Sequence, residues 1–237
     1  MGNVDLRKLG SPADLAQAAA RDWLAFLLGE DFKRPLSVAL SGGRIAGEFF
    51  LKIAQHADAK KLGSVDVHFF WSDERCVPPG DPQSNFRLAD DSLLKPLNIP
   101  PSRIHRIQGE KPPADACAIA GSELRRVAPA AQGGPPLIDL ILLGMGEDGH
   151  VASLFPGESE TAMSDPALFR DVTAVKPPPL RITMGYGLIA QARQVWVLAS
   201  GAGKQAALRE SLSAASTPLG RVIRQRADTR IYSDLAV

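Results

Sequence analysis

The stretch that decides the fold is Ile138-Asp139-Leu140-Ile141-Leu142-Leu143-Gly144-Met145-Gly146-Glu147-Asp148-Gly149-His150. Its first half is almost entirely apolar, which is typical of a strand that is buried on both faces of a sheet. Its second half is a glycine-rich turn that ends with a carboxylate and an imidazole. In an open α/β sheet, ligands bind outside the carboxyl ends of the strands. The stretch therefore predicts a central strand that leads into a functional turn.

Similar units lie on both sides of this stretch. Apolar runs predict strands at 35–40, 65–71 and 194–199 and a short one at 104–107, whereas apolar residues at helical spacing predict helices near 12–27, 46–57, 84–94, 114–127 and 204–212. Polar segments at 30–34 and 132–136 predict breaks between units. Strands that alternate with helices indicate an α/β fold with a largely parallel, Rossmann-like sheet flanked by helices. We expect residues 1–237 to form a single domain.

The composition excludes several classes of protein. The chain has 27 Lys plus Arg and 26 Asp plus Glu, a net charge of +1, so no broad charge attracts it to nucleic acid or to an anionic membrane. Its two cysteines, Cys76 and Cys117, form neither a disulfide framework nor a metal-binding pattern. The first ten residues lack the apolar run of a secretory signal, and no run is long enough to span a membrane. We expect a cytoplasmic protein without a nucleic-acid, membrane or obligatory protein partner.

The glycine-rich turn contains the strongest catalytic candidate, His150. Glycines let a backbone approach a ligand closely, and successive amides can form an anion-binding concavity. Histidine has an ordinary pKa of about 6.5, which suits a general base. A histidine in a loop is more often structural, but this one follows three glycines at the end of a buried strand. His56, His68 and His105 lack that setting and are interpreted as structural.

Three other segments add candidate ligands. Ser41-Gly42-Gly43-Arg44 opens a helix, whose free amides and dipole favour an anion. Ser72-Asp73-Glu74-Arg75 follows a predicted strand and is either a solvated loop with a surface ion pair or a site where Arg75 binds phosphate with both arms of its guanidinium. Lys176-Pro177-Pro178-Pro179-Leu180-Arg181-Ile182-Thr183 is stiffened by its prolines and presents two cations, or is a loop that enters a helix. Cys76 has no assignable base and is interpreted as a passive thiol.

Together these segments resemble the 6-phosphogluconolactonase family. The matching motifs span about 35 to 205 and are Ser41–Gly43, Ser72–Pro78 with Ser84-Asn85, Gly144–Pro156 and Lys176–Thr183. The resemblance implies the fold shared by glucosamine-6-phosphate deaminase, ribose-5-phosphate isomerase and coenzyme A transferases. It also implies hydrolysis of 6-phospho-D-glucono-1,5-lactone to 6-phospho-D-gluconate in the oxidative pentose phosphate pathway. No metal or organic cofactor is expected.

The resemblance also implies roles for individual residues. His150 would be the general base, oriented by Asp148 or by another carboxylate, and Arg75 and Lys176 would hold the phosphate. Many relatives have hydroxyl residues where Arg44 stands, so Arg44 either supplies a cation to the phosphate or points away.

The remaining predicted site residues supply backbone groups or line the pocket. The predicted backbone and oxyanion donors are Ser41, Gly42, Gly43, Gly146 and Gly149. Asp73 and Arg181 are predicted to line the same pocket. From the sequence, Asp73 and Glu74 either act on the substrate or only position Arg75.

Two other functions were weighed. Glucosamine-6-phosphate deaminases typically have tyrosine after the Asp-Glu pair and Asn-Glu-Pro after the histidine segment, where this chain has Arg75 and Ser153–Pro156. A non-catalytic sugar-phosphate sensor of a transcription regulator would carry an N-terminal helix-turn-helix. This chain has one predicted helix before the strand at 35–40. A stand-alone sensor that has lost activity is disfavoured by the intact turn at His150.

Overall fold

The computed structural model describes residues 2–29, 34–128 and 134–237. Its strands are β1 (Asn3–Lys8), β2 (Leu36–Leu40), β3 (Val67–Trp71), β4 (Asp73–Arg75), β5 (Leu140–Gly144), β6 (Phe169–Thr173), β7 (Leu180–Met184), β8 (Gln194–Ala199) and β9 (Asp228–Ser233). Its α-helices are α1 (Pro12–Gly29), α2 (Arg44–Gln55), α3 (Asn85–Ala89), α4 (Pro113–Val127), α5 (Glu160–Met163), α6 (Tyr186–Gln191), α7 (Gln205–Ser213) and α8 (Pro218–Arg224).

Six of these strands form one parallel sheet in the order β1-β9-β8-β5-β2-β3. All five residues of β2 are buried, as are the first four of β5, because both strands lie inside the sheet and are covered by helices. The mainly parallel sheet flanked by helices that the sequence predicts is confirmed. No helix among residues 2–29, 34–128 and 134–237 is long and apolar enough to cross a bilayer.

Local signals match the elements closely at several places. Ser11 caps α1: its Oγ lies 3.1 Å from the amide nitrogen of Asp14 and donates to the Asp14 carboxylate at 2.7 Å.

The predicted strand at 104–107 is wrong, because Ile104 makes only an isolated bridge with Phe69 and its amide donates to the carbonyl of Pro101 in a turn. Of the two predicted polar breaks, residues 30–33 and 132–133 lie outside the described residues.

A second sheet, antiparallel and of order β4-β7-β6, was absent from the sequence interpretation. Within it the segment that starts at Leu180 is a strand, which corrects the alternative of a loop entering a helix. Its register places Asp73 opposite Thr183 and Arg75 opposite Arg181. The small sheet therefore joins two predicted site segments that are about a hundred residues apart in sequence.

His68 of β3 and His105, in the segment that follows Ile104, form a histidine pair. The Nε2 atom of His105 is 2.8 Å from Nδ1 of His68, and the two rings stack at 5.0 Å. Phe70 covers the His105 ring at 4.7 Å, whereas Glu123 is 3.4 Å from His105 Nδ1 and Asp66 is 3.3 Å from His68 Nε2. Burial, together with the neighbouring His68, lowers the pKa of His105.

This lowered pKa predicts a stability that depends on pH. The unfolded chain binds a proton at this position more strongly than the folded protein, so stability falls as the pH drops through about 6.5, the ordinary pKa of histidine. We expect the free energy of unfolding in urea to decrease between pH 7.5 and pH 5.5 more steeply in the wild type than in His105→Gln. Equal slopes in the two proteins would contradict this origin. Glu123 does not interfere, because Arg126 helps to lower its pKa to about 2 and it therefore stays charged throughout the range from pH 7.5 to pH 5.5.

Candidate active site

A pocket of about 280 Å³ opens at the carboxyl edge of the parallel sheet. It is formed where the chain leaves four strands, β2, β3, β5 and β8, because the carboxyl ends of parallel strands meet at one edge. The residues that line it include Ser41, Gly42, Gly43, Arg44, Asp73, Arg75, Asn85, His150, Arg181 and Lys204. The structure thus brings most of the predicted site segments to one place.

The imidazole of His150 is held by Asp148. Its Nδ1 lies 2.6 Å from Oδ1 of Asp148, and the same oxygen accepts the backbone N–H of His150 at 3.1 Å. Although burial acts to raise it, the pKa of Asp148 is lowered by the N–H groups and the charge of His150. An ionised carboxylate accepts a hydrogen bond from Nδ1–H and leaves Nε2 as the basic nitrogen. The carboxylate that the sequence left undecided is therefore the one two residues before the imidazole.

Two of the three glycines of this turn, Gly146 and Gly149, have a packing role. The amide of Gly146 donates to the carbonyl of His150 at 2.9 Å, and that of Gly149 donates to the carbonyl of Gly146 at 3.2 Å. A Cβ at Gly146 would lie 2.0 Å from Nδ1 of His150, and one at Gly149, where φ is +79°, would lie 2.8 Å from Cβ of Thr217. Both amides are engaged inside the turn and do not face an oxyanion, which corrects that part of the predicted donor set.

The turn after β2 keeps its donors free. Gly43 has φ of +99° and precedes α2 without a side-chain cap, and neither its amide nor that of Gly42 donates to another described residue. A Cβ at Gly42 would lie 1.8 Å from Oδ1 of Asn85, so only glycine permits this close approach. The Ser41 hydroxyl is buried and accepts the amide of Gly144 at 3.4 Å. The amides of Gly42 and Gly43 are the donors available to an anion.

Arg75 and Arg181 stand opposite each other in the small sheet. Neither forms an ion pair with a described carboxylate: Arg75 donates to the carbonyl of Gln83, and Arg181 to those of Pro178 and Lys176 at 3.3 and 3.4 Å. The Nε of Arg75 is buried without a partner among the described residues. Burial and the charge of Arg75 lower the pKa of Arg181. Like charges opposite each other destabilise a sheet, so this pair is suited to an anionic ligand.

A second pair of cations, Arg44 and Lys204, lines the same pocket. Lys204, absent from the sequence prediction, lies at the end of a 3₁₀ turn after β8. Burial, together with the charge of Arg44, lowers its pKa, whereas Glu147 and Asp234 act in the opposite direction. The sequence did contain a signal for this position: glycines at 201 and 203 follow the carboxyl end of a predicted strand, where ligands bind in such sheets.

Lys176 is placed differently from the other predicted ligands. It is exposed, and it lines an adjoining groove that shares only His150 and Arg181 with the pocket. Phe155, also absent from the prediction, lines this groove beside both shared residues: its ring centroid is 5.0 Å from that of His150 and 5.8 Å from the guanidinium carbon of Arg181. Lys176 therefore shares the groove with Arg181 but does not line the pocket with Arg44, Arg75 and Lys204.

The two adjacent acids after β3 have different environments. Asp73 lines the pocket, where its carboxylate accepts the hydroxyl of Ser153 at 2.7 Å and the side-chain amide of Asn85 at 3.1 Å. Glu74 points away from the pocket and is 2% exposed. Asn85 is a pocket residue that the sequence interpretation used only as part of a motif.

The chemistry available here is that of a base, free amides and cations. Within residues 2–29, 34–128 and 134–237, no group of three or more His, Cys, Asp or Glu side chains is arranged to hold a metal ion. Burial raises the pKa of Cys76, and Asp171 and Glu74 add to this effect, so its thiol stays protonated at neutral pH. The site is therefore suited to the attack of water on a carbonyl of an anionic substrate.

The family model, a relative similar in sequence and solved structures similar in fold all point to one protein family. The family described as glucosamine-6-phosphate isomerases/6-phosphogluconolactonase matches residues 10–232. A 6-phosphogluconolactonase of Treponema pallidum (strain Nichols) is 42% identical over 192 residues, which cover 78% of this chain and 76% of the relative. The solved 6-phosphogluconolactonase of Trypanosoma brucei superposes with a TM-score of 0.85 at 26% identity, over 98% of this chain and 96% of that one. A monomeric glucosamine-6-phosphate deaminase shares the fold, with a TM-score of 0.80 at 18% identity over 97% and 96% of the two chains.

Proposed function

The chain belongs to the glucosamine-6-phosphate isomerase/6-phosphogluconolactonase family, and we propose that it hydrolyses 6-phospho-D-glucono-1,5-lactone to 6-phospho-D-gluconate with His150 as the general base. This reaction is the second step of the oxidative pentose phosphate pathway and makes the protein a carboxylic ester hydrolase. The observation that carries the mechanism is the 2.6 Å contact of His150 Nδ1 with Asp148, on the wall of a pocket lined by cations.

The base acts on water. Neutral His150 takes a proton at Nε2 as the water oxygen bonds to the lactone carbonyl carbon, and Asp148 stabilises the imidazolium that forms. The carbonyl oxygen becomes an oxyanion that faces the free amides of Gly42 and Gly43, where one such donor contributes about 10²–10³ in rate in a known case. When the tetrahedral intermediate collapses, the bond to the ring oxygen breaks, and the imidazolium returns the proton to that oxygen.

The phosphate binds away from the breaking bond. Arg75 is its principal ligand, with Arg181 beside it, because these two guanidiniums lack a carboxylate partner among the described residues. Arg44 and Lys204 extend the positive lining toward the start of α2. The phosphate does not react, so this binding energy orients the lactone against the base. Lys176 remains a ligand implied by the resemblance, at the rim of the adjoining groove.

We also propose where the enzyme acts and which cofactors and partners it does without. It acts in the cytoplasm as a single domain on a small phosphorylated sugar lactone, without a metal, an organic cofactor, a nucleic acid, a membrane or an obligatory protein partner. The net charge of +1 supports the absence of a nucleic-acid or anionic-membrane partner, and the pairing of β1 with β9 in the same sheet as the central strands supports a single domain.

A direct assay tests the reaction. Purified protein is added to freshly generated 6-phosphogluconolactone with a chelator present, and the loss of lactone is measured after subtraction of spontaneous hydrolysis. Acceleration is expected, and it would establish the activity and its independence of metal together. Without acceleration, the lactonase proposal is rejected, and ammonia release from glucosamine 6-phosphate becomes the next assay.

The role of Asp148 is tested by Asp148→Asn. An amide no longer enforces the Nδ1–H tautomer and does not stabilise the imidazolium, so kcat is expected to fall roughly 10²-fold or more while KM changes little. Glu147→Gln is the matched control, because it removes one negative charge from the same turn without a hydrogen bond to the imidazole; its kcat should stay within about threefold of the wild type. Equal losses in both variants would show that the turn's net charge matters rather than the contact.

A further inference from the structure

We propose that Glu74 is a positioning residue, whose carboxylate fixes Arg75 and Asn85 in the geometry that binds the substrate phosphate. The inference rests on the proposed function, since the phosphate site is defined by that reaction. Glu74 neither lines the pocket nor touches a charged partner, so its role is exerted through the residues it holds.

The carboxylate of Glu74 is surrounded by donors. One oxygen accepts the backbone amides of Arg75 at 2.7 Å and Asn85 at 2.8 Å. The other accepts the backbone amide of Phe86 at 2.8 Å and the hydroxyl of Ser84 at 2.9 Å. With a side chain that is 2% exposed, these four contacts use the acceptor positions of an ionised carboxylate.

These contacts tie together two pocket segments that are ten residues apart. Arg75 ends β4, and its guanidinium lines the pocket. Asn85 begins α3, and its side-chain amide donates to the carbonyl of Asp73 at 2.9 Å and to the Asp73 carboxylate at 3.1 Å. The oxygen of the same side chain lies against Gly42, which lines the pocket and whose amide donates to no described residue. A displacement at Glu74 would therefore reach the phosphate ligand, the buried acid and the free amide together.

The negative charge of Glu74 is costly to retain for packing alone. Burial raises its pKa, whereas the amides of Phe86, Asn85 and Arg75 and the hydroxyl of Ser84 act against this, and the charge of Glu74 in turn helps to raise the pKa of Arg106. It forms no ion pair within 4 Å with any residue that the structure describes. A buried carboxylate without a cation is unfavourable unless each lone pair is matched. A glutamine would set an NH₂ group against backbone N–H donors, which would push β4 and the start of α3 apart.

A matched control, Asp139, lies at the amino-terminal ends of the parallel strands, away from the pocket at their carboxyl ends. Asp139 is fully buried and accepts the amide of Ser37 at 2.9 Å and the guanidinium of Arg34 at 2.9 Å. It precedes β5, whereas the pocket lies beyond the carboxyl end of that strand. Asp139→Asn therefore disturbs a buried, hydrogen-bonded carboxylate without touching the site.

The experiment compares Glu74→Gln, Asp139→Asn and the wild type by steady-state lactone hydrolysis, by titration with inorganic phosphate, and by thermal unfolding. Glu74→Gln is expected to raise KM and the Kd for phosphate by about tenfold each, with kcat within about threefold, because a hydrogen bond to a charged group is lost. Asp139→Asn should lower Tm and leave both KM and Kd unchanged. A Glu74→Gln protein with a lowered Tm but wild-type KM and Kd would overturn the proposal.

Ser84→Ala keeps the test decisive if Glu74→Gln does not fold. It removes one donor to the carboxylate and the cap that accepts the amide of Arg87 at 3.2 Å. KM and the Kd for phosphate should rise by about threefold, and unchanged values would refute the positioning role. If the wild type does not hydrolyse the lactone, the proposed function fails, while the ratio of phosphate Kd values still decides the role of Glu74.

Discussion

Replacement of His150 by alanine is expected to lower kcat for 6-phosphogluconolactone hydrolysis by about 10³-fold, within the range of 10²–10⁴ for general acid–base catalysis. The imidazole serves two proton transfers, from water and then to the leaving ring oxygen, and no other histidine lines the pocket. KM should change little, since the phosphate is held by other side chains. The measurement is the loss of freshly generated lactone with chelator present, corrected for spontaneous hydrolysis.

Two further variants sharpen this result. His56→Ala is the control, because His56 lies at the end of α2 outside the pocket, 3.8 Å from Asp58. Its kcat should equal that of the wild type. The double variant His150→Ala/Asp148→Asn should be no slower than His150→Ala alone, since the carboxylate acts through the imidazole. Wild-type kcat in His150→Ala would mean that the base lies elsewhere.

The second large effect is expected at Arg75. Arg75→Ala should raise KM by about 10²-fold, because at least one hydrogen bond between ionised partners is lost and its neighbour Arg181 cannot replace the paired geometry. The change in kcat should be much smaller, since the phosphate is remote from the breaking bond. Initial rates over a range of lactone concentrations separate the two parameters.

The substitutions Arg75→Lys and Arg87→Ala complete this test. Lysine keeps the charge but loses the planar fork, so Arg75→Lys should have an intermediate KM. Arg87 lies outside the pocket and donates to the carbonyl of Gly80 at 2.7 Å, so its removal should leave KM unchanged. A fall in kcat at constant KM in Arg75→Ala would instead assign Arg75 to the reacting carbonyl.

The resemblance seen in the sequence is confirmed by the family match over residues 10–232. The central strand and its turn were predictable because their signals are local. An apolar run of strand length is required for burial on both faces of a sheet, and glycines are required where the backbone crowds an imidazole or adopts φ of +79°. The same kind of local signal predicted the helix near 12–27, which α1 (Pro12–Gly29) confirms.

The small sheet was not predictable in this way. Its strand β4 has three residues, too few for a periodic pattern, and its pairing partner β7 lies about a hundred positions later. Lys204 carried only a weak glycine signal, and its place in the pocket depends on the parallel pairing of β5 with β8. Lys176 had a strong motif, yet the β6–β7 connection holds it at an exposed rim.

The sequence by itself therefore determined the strand-and-turn units, the candidate base and the family of this protein, because each depends on residues that are neighbours along the chain. Only the tertiary structure decided that Asp148 contacts the His150 ring, that Arg75 is paired with Arg181, that the amides of Gly146 and Gly149 donate within the turn, and that the Glu74 carboxylate accepts the amide of Arg75. The physical reason is that hydrogen-bond partners and opposing charges are set by strand register and by the packing of distant segments. Local periodicity contains no information about either.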